Sequence, residues 1–79
     1  MEYDEDKVDD MVLALLYLTS SRDQYGTRSW KGIDATVLDR LYKKGYVSDP
    51  RLKTPTLTLS EEGAQRSREL FAEYFGTHA

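Results

Sequence analysis

Residues 38–63, LDRLYKKGYVSDPRLKTPTLTLSEEG, carry the strongest structural signals of this chain. Up to Gly45, its apolar residues recur at helical spacing, and a short apolar segment follows this glycine. A basic loop bounded by two prolines follows, and then a segment alternates polar and apolar residues up to Leu59. A glycine just after a periodic segment is typical of a helix end, and alternation is typical of a half-buried strand. The stretch therefore predicts a helix, a β-hairpin and the start of another helix.

The helices on either side of the hairpin are marked by residues that favour helix starts. Asp34 is a good N-cap for a helix over 35–44, and Ser60 is a good N-cap for a last helix over 61–75. The hairpin between them spans about 46–59. We therefore predict a small α+β domain with three main helices and a two-stranded hairpin.

The N-terminal segment predicts a helix over about 5–20. Its apolar residues recur at helical spacing, and further apolar residues extend that surface around most of the cylinder. A helix that is apolar nearly all round is buried on more than one side. Two explanations stay open, since either a partner subunit covers the second side or the helix lies in the centre of a monomer's core.

A short segment over 27–32 holds the only tryptophan, Trp30. Because Gly26 and Gly32 flank it, at most one or two helical turns fit there. Two roles for Trp30 stay open. We favour a large side chain that fills a small core beneath the next helix over an exposed stacking platform.

The composition is that of one small domain with an uneven distribution of charge. The chain has 79 residues, no cysteine and a net charge of -3. Residues 1–10 hold six acidic residues against one lysine, whereas residues 22–54 hold eight basic residues against four acidic ones. A basic middle segment suits phosphate groups, although ordinary solvated surface explains it equally well. The lack of cysteine and of a secretory signal predicts a cytoplasmic protein that does not enter a membrane.

Signatures of catalysis are missing, so we expect no enzyme, no cofactor and no metal site. The only histidine, His78, lies in the C-terminal tail. Gly26 and Gly32 are isolated and do not form a phosphate-binding glycine loop. The acidic residues crowd the starts of helices, where helix capping explains them.

The segment from the second helix to the start of the last one carries a recognisable pattern of residues. Its matching positions are Leu38, Leu41, Gly45, Tyr46, Val47, Asp49, Pro50, Arg51, Leu57, Leu59, Glu61, Glu62 and Gly63. The pattern resembles the winged helix-turn-helix domains of bacterial regulators, especially those of the multiple-antibiotic-resistance and phenolic-acid regulator types. This resemblance covers about half of the chain. The whole chain is also similar to a group of short bacterial proteins without an assigned activity.

The resemblance implies a DNA-binding site. In such domains the helix before the hairpin enters the major groove, and the hairpin loop reaches the DNA backbone or the minor groove. In this chain, the loop is the segment 49–55, which we call the wing. By this resemblance, the helix contacts would come from Thr36, Arg40 and Lys43, and the wing contacts from Arg51 and Lys53. Two further residues, Arg28 and Lys31, are expected to contact phosphate groups.

We therefore predict a small, regulator-like protein that binds double-stranded DNA as a homodimer. The dimer interface is predicted to include Leu13, Tyr17, Phe71 and Tyr74, because the first helix is apolar nearly all round and the core of so short a chain is small. The alternative is a winged-helix module that binds a protein partner and not DNA, since one fold serves both purposes.

Overall fold

A computed structural model describes residues 1–24 and 26–77, in which three helices pack on one face of an antiparallel sheet. The predicted α+β class is confirmed, although the sheet has three strands and not two. His78 lies outside the described residues. In chain order the elements are α1 (Glu5–Leu16), β1 (Ser21–Asp23), β2 (Gly26–Trp30), α2 (Ala35–Lys43), β3 (Thr56–Leu59) and α3 (Glu61–Phe75).

The sheet has the strand order β1–β2–β3, and both neighbouring pairs are antiparallel. Leu57 and Leu59 of β3 are buried, whereas Thr58 between them is exposed. Ser29 pairs with Leu57, and Thr27 pairs with Leu59. Because paired residues share a face and side chains alternate along a strand, these four residues lie on the inner face. The outer face of the sheet is open to solvent.

The core consists mainly of leucines from the three helices and from β3. Helical spacing places these residues on one side of each helix, where they lose contact with water. The hydroxyl of Ser67 on α3 donates a hydrogen bond to the carbonyl oxygen of Leu13 on α1 (2.6 Å), which joins these two helices. The buried apolar residues are Leu13, Ala14, Leu16, Val37, Leu38, Leu41, Val47, Leu57, Leu59 and Leu70.

The helix boundaries follow from local hydrogen bonds. Asp4, Asp34 and Ser60 each accept a hydrogen bond from a backbone amide in the first turn of the following helix. Gly45 follows α2 with a φ of 84°, a left-handed conformation that glycine adopts at little cost. None of the three helices in the described part of the chain is long and apolar enough to cross a membrane.

The hairpin expected over 46–59 is only partly formed. Val47 makes a single bridge with Leu59, and the amide of Ser48 donates to the carbonyl oxygen of Thr58 (2.8 Å). The regular pairing of β3 is with β2 on its other side. Residues 46–48 therefore lie at the edge of the sheet and form no named strand.

The expectation of helical turns over 27–32 is wrong, because strand β2 occupies most of this segment. β2 pairs with β1 on one side and β3 on the other, so it is the central strand. The β1–β2 hairpin stands where a helix-turn-helix would have its first helix. Within residues 1–24 and 26–77, α2 is therefore not preceded by such a helix.

The expectation that Leu13 lies in a dimer interface is also wrong. Leu13 has 0% of its surface exposed, because its own chain covers it. The exposed apolar residues of α1 include Met11 and Leu15, on another side of the helix. Leu13 is therefore not available to a partner subunit.

Candidate nucleic-acid interface

The wing is held to the central strand by Lys31, which directly follows β2. Its ammonium group donates hydrogen bonds to two backbone carbonyl oxygens of the wing, those of Leu52 and of Thr54, the latter at 3.2 Å. These bonds satisfy carbonyl groups in a loop without regular pairing. Lys31, expected as a phosphate contact, therefore positions the wing in the structure.

The two cations of the wing itself, Arg51 and Lys53, are exposed. Arg51 donates to Asp49 through Nε (2.9 Å) and Nη2 (3.1 Å). The side-chain hydrogen bond from Arg51 lowers the pKa of Asp49, which stays charged at neutral pH. Lys53 makes no ion pair within the described residues. The guanidinium carbon of Arg51 lies 6.0 Å from the centre of the Tyr42 ring, so the wing and α2 are neighbours.

Arg40, expected to face DNA from the second helix, points instead to α1. Its Nε lies 2.9 Å from both carboxylate oxygens of Asp9, and its Nη1 donates to Glu5 (2.7 Å). Lys44 also donates to Asp9 (2.9 Å). Asp9 has 0% of its surface exposed, so this carboxylate needs both cations to be stable inside the protein. Arg40 therefore joins α1 to α2 and is not free for a ligand.

The protonation states of Asp9, Arg40 and Lys44 follow from the same contacts. Burial alone would raise the pKa of Asp9, but the hydrogen bonds from Arg40 and Lys44 outweigh burial and lower that pKa below its ordinary value. Burial would also lower the pKa of Lys44, whereas its bonds to Asp9 and Asp6 raise that pKa. Asp9, Arg40 and Lys44 are therefore charged near neutral pH.

The remaining predicted residues of α2 lie on its exposed side. Thr36 is exposed near the start of the helix. Lys43 is exposed and pairs with Asp39 one turn earlier, at 3.0 Å. Exposed pairs at this spacing contribute only about 0.3–0.5 kcal/mol, so a phosphate group can replace Asp39 as the partner of Lys43.

The outer face of the sheet carries an aromatic residue and a cation side by side. Arg28 and Trp30 are exposed on β2, where they alternate with the buried Ser29. Arg28 forms an ion pair with Asp23. Trp30 is 55% exposed, so the expectation that it fills the core is wrong. Its ring lies against Gly32, where a β-carbon would come within 2.2 Å of the indole.

The outward position of Trp30 could have been read from the alternation in GTRSW, had this segment been recognised as a strand. Trp30 adjoins Lys31, which holds the wing. An exposed indole beside basic residues suits contact with a sugar or a base. The exposure of Trp30 is therefore consistent with the alternative role as a stacking platform.

We expect the native emission of Trp30 to lie near the position of solvated tryptophan and to shift little on unfolding. We also expect Trp30→Ala to cost about 1 kcal/mol or less, because more than half of the side chain is already hydrated. Fluorescence spectra and urea unfolding curves would test both expectations. A strongly blue-shifted native spectrum would contradict the exposed position.

Two of the other predicted dimer residues, Tyr17 and Phe71, lie together where the end of α1 packs on α3. The rings of Tyr17 and Phe71 have centroids 5.0 Å apart, and those of Phe71 and Phe75 are 5.2 Å apart. Tyr74 is also exposed near the end of α3. We call Tyr17, Phe71, Tyr74 and Phe75 the aromatic face.

Comparison with known proteins gives a family but no activity. The chain is 48% identical over 75 residues to the uncharacterized protein y4hR of Sinorhizobium fredii (strain NBRC 101917 / NGR234), a match that covers 95% of this chain and 97% of the relative. No solved structure matches the chain. A family model described as "Domain of unknown function (DUF6429)" matches residues 4–77. The chain therefore belongs to the DUF6429 family.

Proposed function

We propose that this protein binds double-stranded DNA through the wing and the outer face of β2. The observation that carries the proposal is the position of the exposed Arg51 and Lys53 on a loop that Lys31 fixes beside the exposed Trp30. A fixed loop loses little conformational freedom on binding. The resemblance of residues 38–63 to winged-helix domains points to the same class of ligand.

The exposed side of α2 extends this surface. Arg51 lies over Tyr42, which brings the wing next to the helix that carries Thr36 and Lys43. Thr36 supplies a hydroxyl for a phosphate or a base edge, and Lys43 supplies a positive charge. Arg40 has no part in the proposal, because it is bound to Asp9 and Glu5.

The acidic residues that pair with cations of this surface do not prevent phosphate binding. Arg51 and Lys43 are paired with Asp49 and Asp39, but such exposed pairs are worth about 0–1 kcal/mol. Near the N-terminus, Arg40 and Lys44 offset part of the negative charge of α1. We therefore expect modest affinity that depends strongly on salt.

The test is the salt dependence of binding to a labelled, mixed-sequence duplex of about 20 base pairs. If Lys43, Arg51 and Lys53 each contact one phosphate in both subunits of a dimer, about six contacts give a slope of log K against log salt near −5. Fluorescence anisotropy at several salt concentrations would measure this slope. Absence of binding at low salt by the folded protein would contradict the proposal.

Lys53→Gln is the sharpest variant, because Lys53 has no acidic partner in the described chain. Losing this contact in both subunits should flatten the slope by about two. Lys7→Gln is the matched control, since Lys7 is an exposed lysine of α1 outside the proposed surface. Equal slopes for Lys53→Gln and Lys7→Gln would show that binding depends only on net charge and would contradict a phosphate contact at Lys53.

A second candidate function is protein binding without DNA binding. The aromatic face favours it, because exposed aromatic side chains at one helix pair are typical of interfaces. The occupant that we propose for this face is a second copy of the chain. A dimer through this face is compatible with DNA binding, whereas a folded dimer that binds no DNA at low salt would support the second candidate.

We expect the unmodified protein to be a dimer at micromolar concentration and Tyr74→Glu to be a folded monomer. Tyr74 is 48% exposed, so a charge there is solvated in a monomer but would be buried unpaired in a dimer. Light scattering coupled to size exclusion would give the mass, and circular dichroism would verify folding. A monomeric mass for the unmodified chain would contradict the proposed dimer.

A further inference from the structure

A cleft of about 390 Å³ opens on another part of the molecule, between the end of α1, the β1–β2 hairpin and the first turns of α3. It is lined by Tyr17 and Ser20 after α1, by Arg22 and Thr27 of the hairpin, and by residues of α3 that include Glu61 and Arg68. Its volume lies in the range of small-molecule sites. Neither the wing nor α2 contributes to it.

The sheet side of the cleft is polar, because the inner face of the sheet carries polar residues towards the β1 edge. Arg22 pairs with Thr27, and Thr27 pairs with Leu59. Since paired residues share a face, these three form one row across the sheet. The row starts in the core at the buried Leu59 and ends at the exposed Arg22.

The two cations of the cleft are distinguished by their lack of acidic partners. The chain has six arginines. Four of them lie within 4 Å of a carboxylate, namely Arg28, Arg40, Arg51 and Arg66. Arg22 and Arg68 form no ion pair within the described residues, and both line this cleft. Two guanidinium groups without acidic partners, one on the β1 side and one on the α3 side, make the cleft attractive to an anion.

We propose that the cleft binds a small organic carboxylate between Arg22 and Arg68. A guanidinium group matches a carboxylate with two parallel hydrogen bonds. The hydroxyl of Thr27 is available as an additional donor, and the ring of Tyr17 supplies an apolar wall for the body of the ligand. Glu61 on the same wall as Arg68 disfavours a second negative charge, so a monoanion binds better than phosphate or a dicarboxylate.

The test is an NMR titration of the uniformly ¹⁵N-labelled full chain with acetate, succinate and inorganic phosphate at constant ionic strength. We expect acetate to shift the signals of residues 20–27 and 61–68 saturably, with a Kd on the order of 1–10 mM. Succinate and phosphate should bind more weakly than acetate. Shifts spread over all basic residues, or none at the cleft, would overturn the proposal.

Four variants make the assignment specific. Arg22→Gln and Arg68→Gln should each weaken acetate binding about tenfold, the loss of one charge-assisted interaction. Arg66→Gln is the matched control on α3, because Arg66 pairs with Glu69 and does not line the cleft. Glu61→Gln should bring phosphate closer to acetate in affinity. Equal weakening by all three arginine variants would reduce the effect to net charge and contradict the proposal.

Discussion

Leu13→Glu is expected to unfold the domain. Leu13 is completely buried, and its carbonyl oxygen accepts the bond from Ser67 that joins α1 to α3. Loss of a buried leucine costs about 2–5 kcal/mol, and an unpaired buried carboxylate adds several kcal/mol more. A domain of this size has a total stability of about 4–12 kcal/mol. Circular dichroism should therefore show little native helix at 25 °C.

Leu15→Glu is the matched control for Leu13→Glu. It places the same charge on the same helix, but Leu15 is 43% exposed. The variant should remain folded, with a urea midpoint close to that of the unmodified protein. If Leu13→Glu instead kept its helical spectrum and a cooperative transition, the buried position of Leu13 would be contradicted.

Asp9→Asn is expected to cost about 2–4 kcal/mol at neutral pH. The substitution keeps the shape of the side chain but removes the charge that Arg40 and Lys44 face. The cost stays below that of a fully enclosed ion pair, because both cations are partly exposed and can regain water. Asp10→Asn is the control, since Asp10 forms no ion pair in the described chain. Urea unfolding of the two variants would measure the difference.

The stabilisation by Asp9 should also depend on pH. Its pKa is lower in the folded protein than its ordinary value of 3.8, so the folded state favours the charged form. The contribution is therefore fully present above the unfolded pKa and is lost as the pH falls through the folded pKa. The unmodified protein should lose more stability between about pH 5 and pH 2 than Asp9→Asn does. Equal losses would assign the acid sensitivity to other carboxylates.

The helices were predictable because their signals are local. Apolar residues at helical spacing define the inner sides of α2 and α3, and Asp34, Ser60 and Gly45 mark ends of these helices. None of these signals depends on what the segment packs against. The α+β class followed from them directly.

Strand β2 was missed because its identity depends on distant residues. The segment between Gly26 and Gly32 is too short to show a clear periodic pattern. Its strand conformation is fixed by pairing with β3, which lies far along the chain. The same error placed Trp30 in the core. Once the strand is known, the buried Ser29 requires Trp30 to point outward.

The role of Arg40 was missed because a helix pattern does not show which polar residue finds a buried partner. Its partner Asp9 is on α1, far along the chain. A signal was present, however. Asp9 occupies the same side of α1 as Leu13 and Leu16, all three being buried, and an acidic residue at a core position requires a cation from a neighbouring element.

The wing and the outer face of β2 form the proposed DNA-binding surface, and Trp30, the only tryptophan of the chain, reports on that surface directly. The measurement is a titration of the protein with an unlabelled duplex at low salt, followed by tryptophan emission. We predict a saturable change in the Trp30 emission that added salt reverses and that Lys53→Gln shifts to higher DNA concentration. If the folded protein showed no change in emission on addition of DNA, this result would contradict DNA binding at this surface.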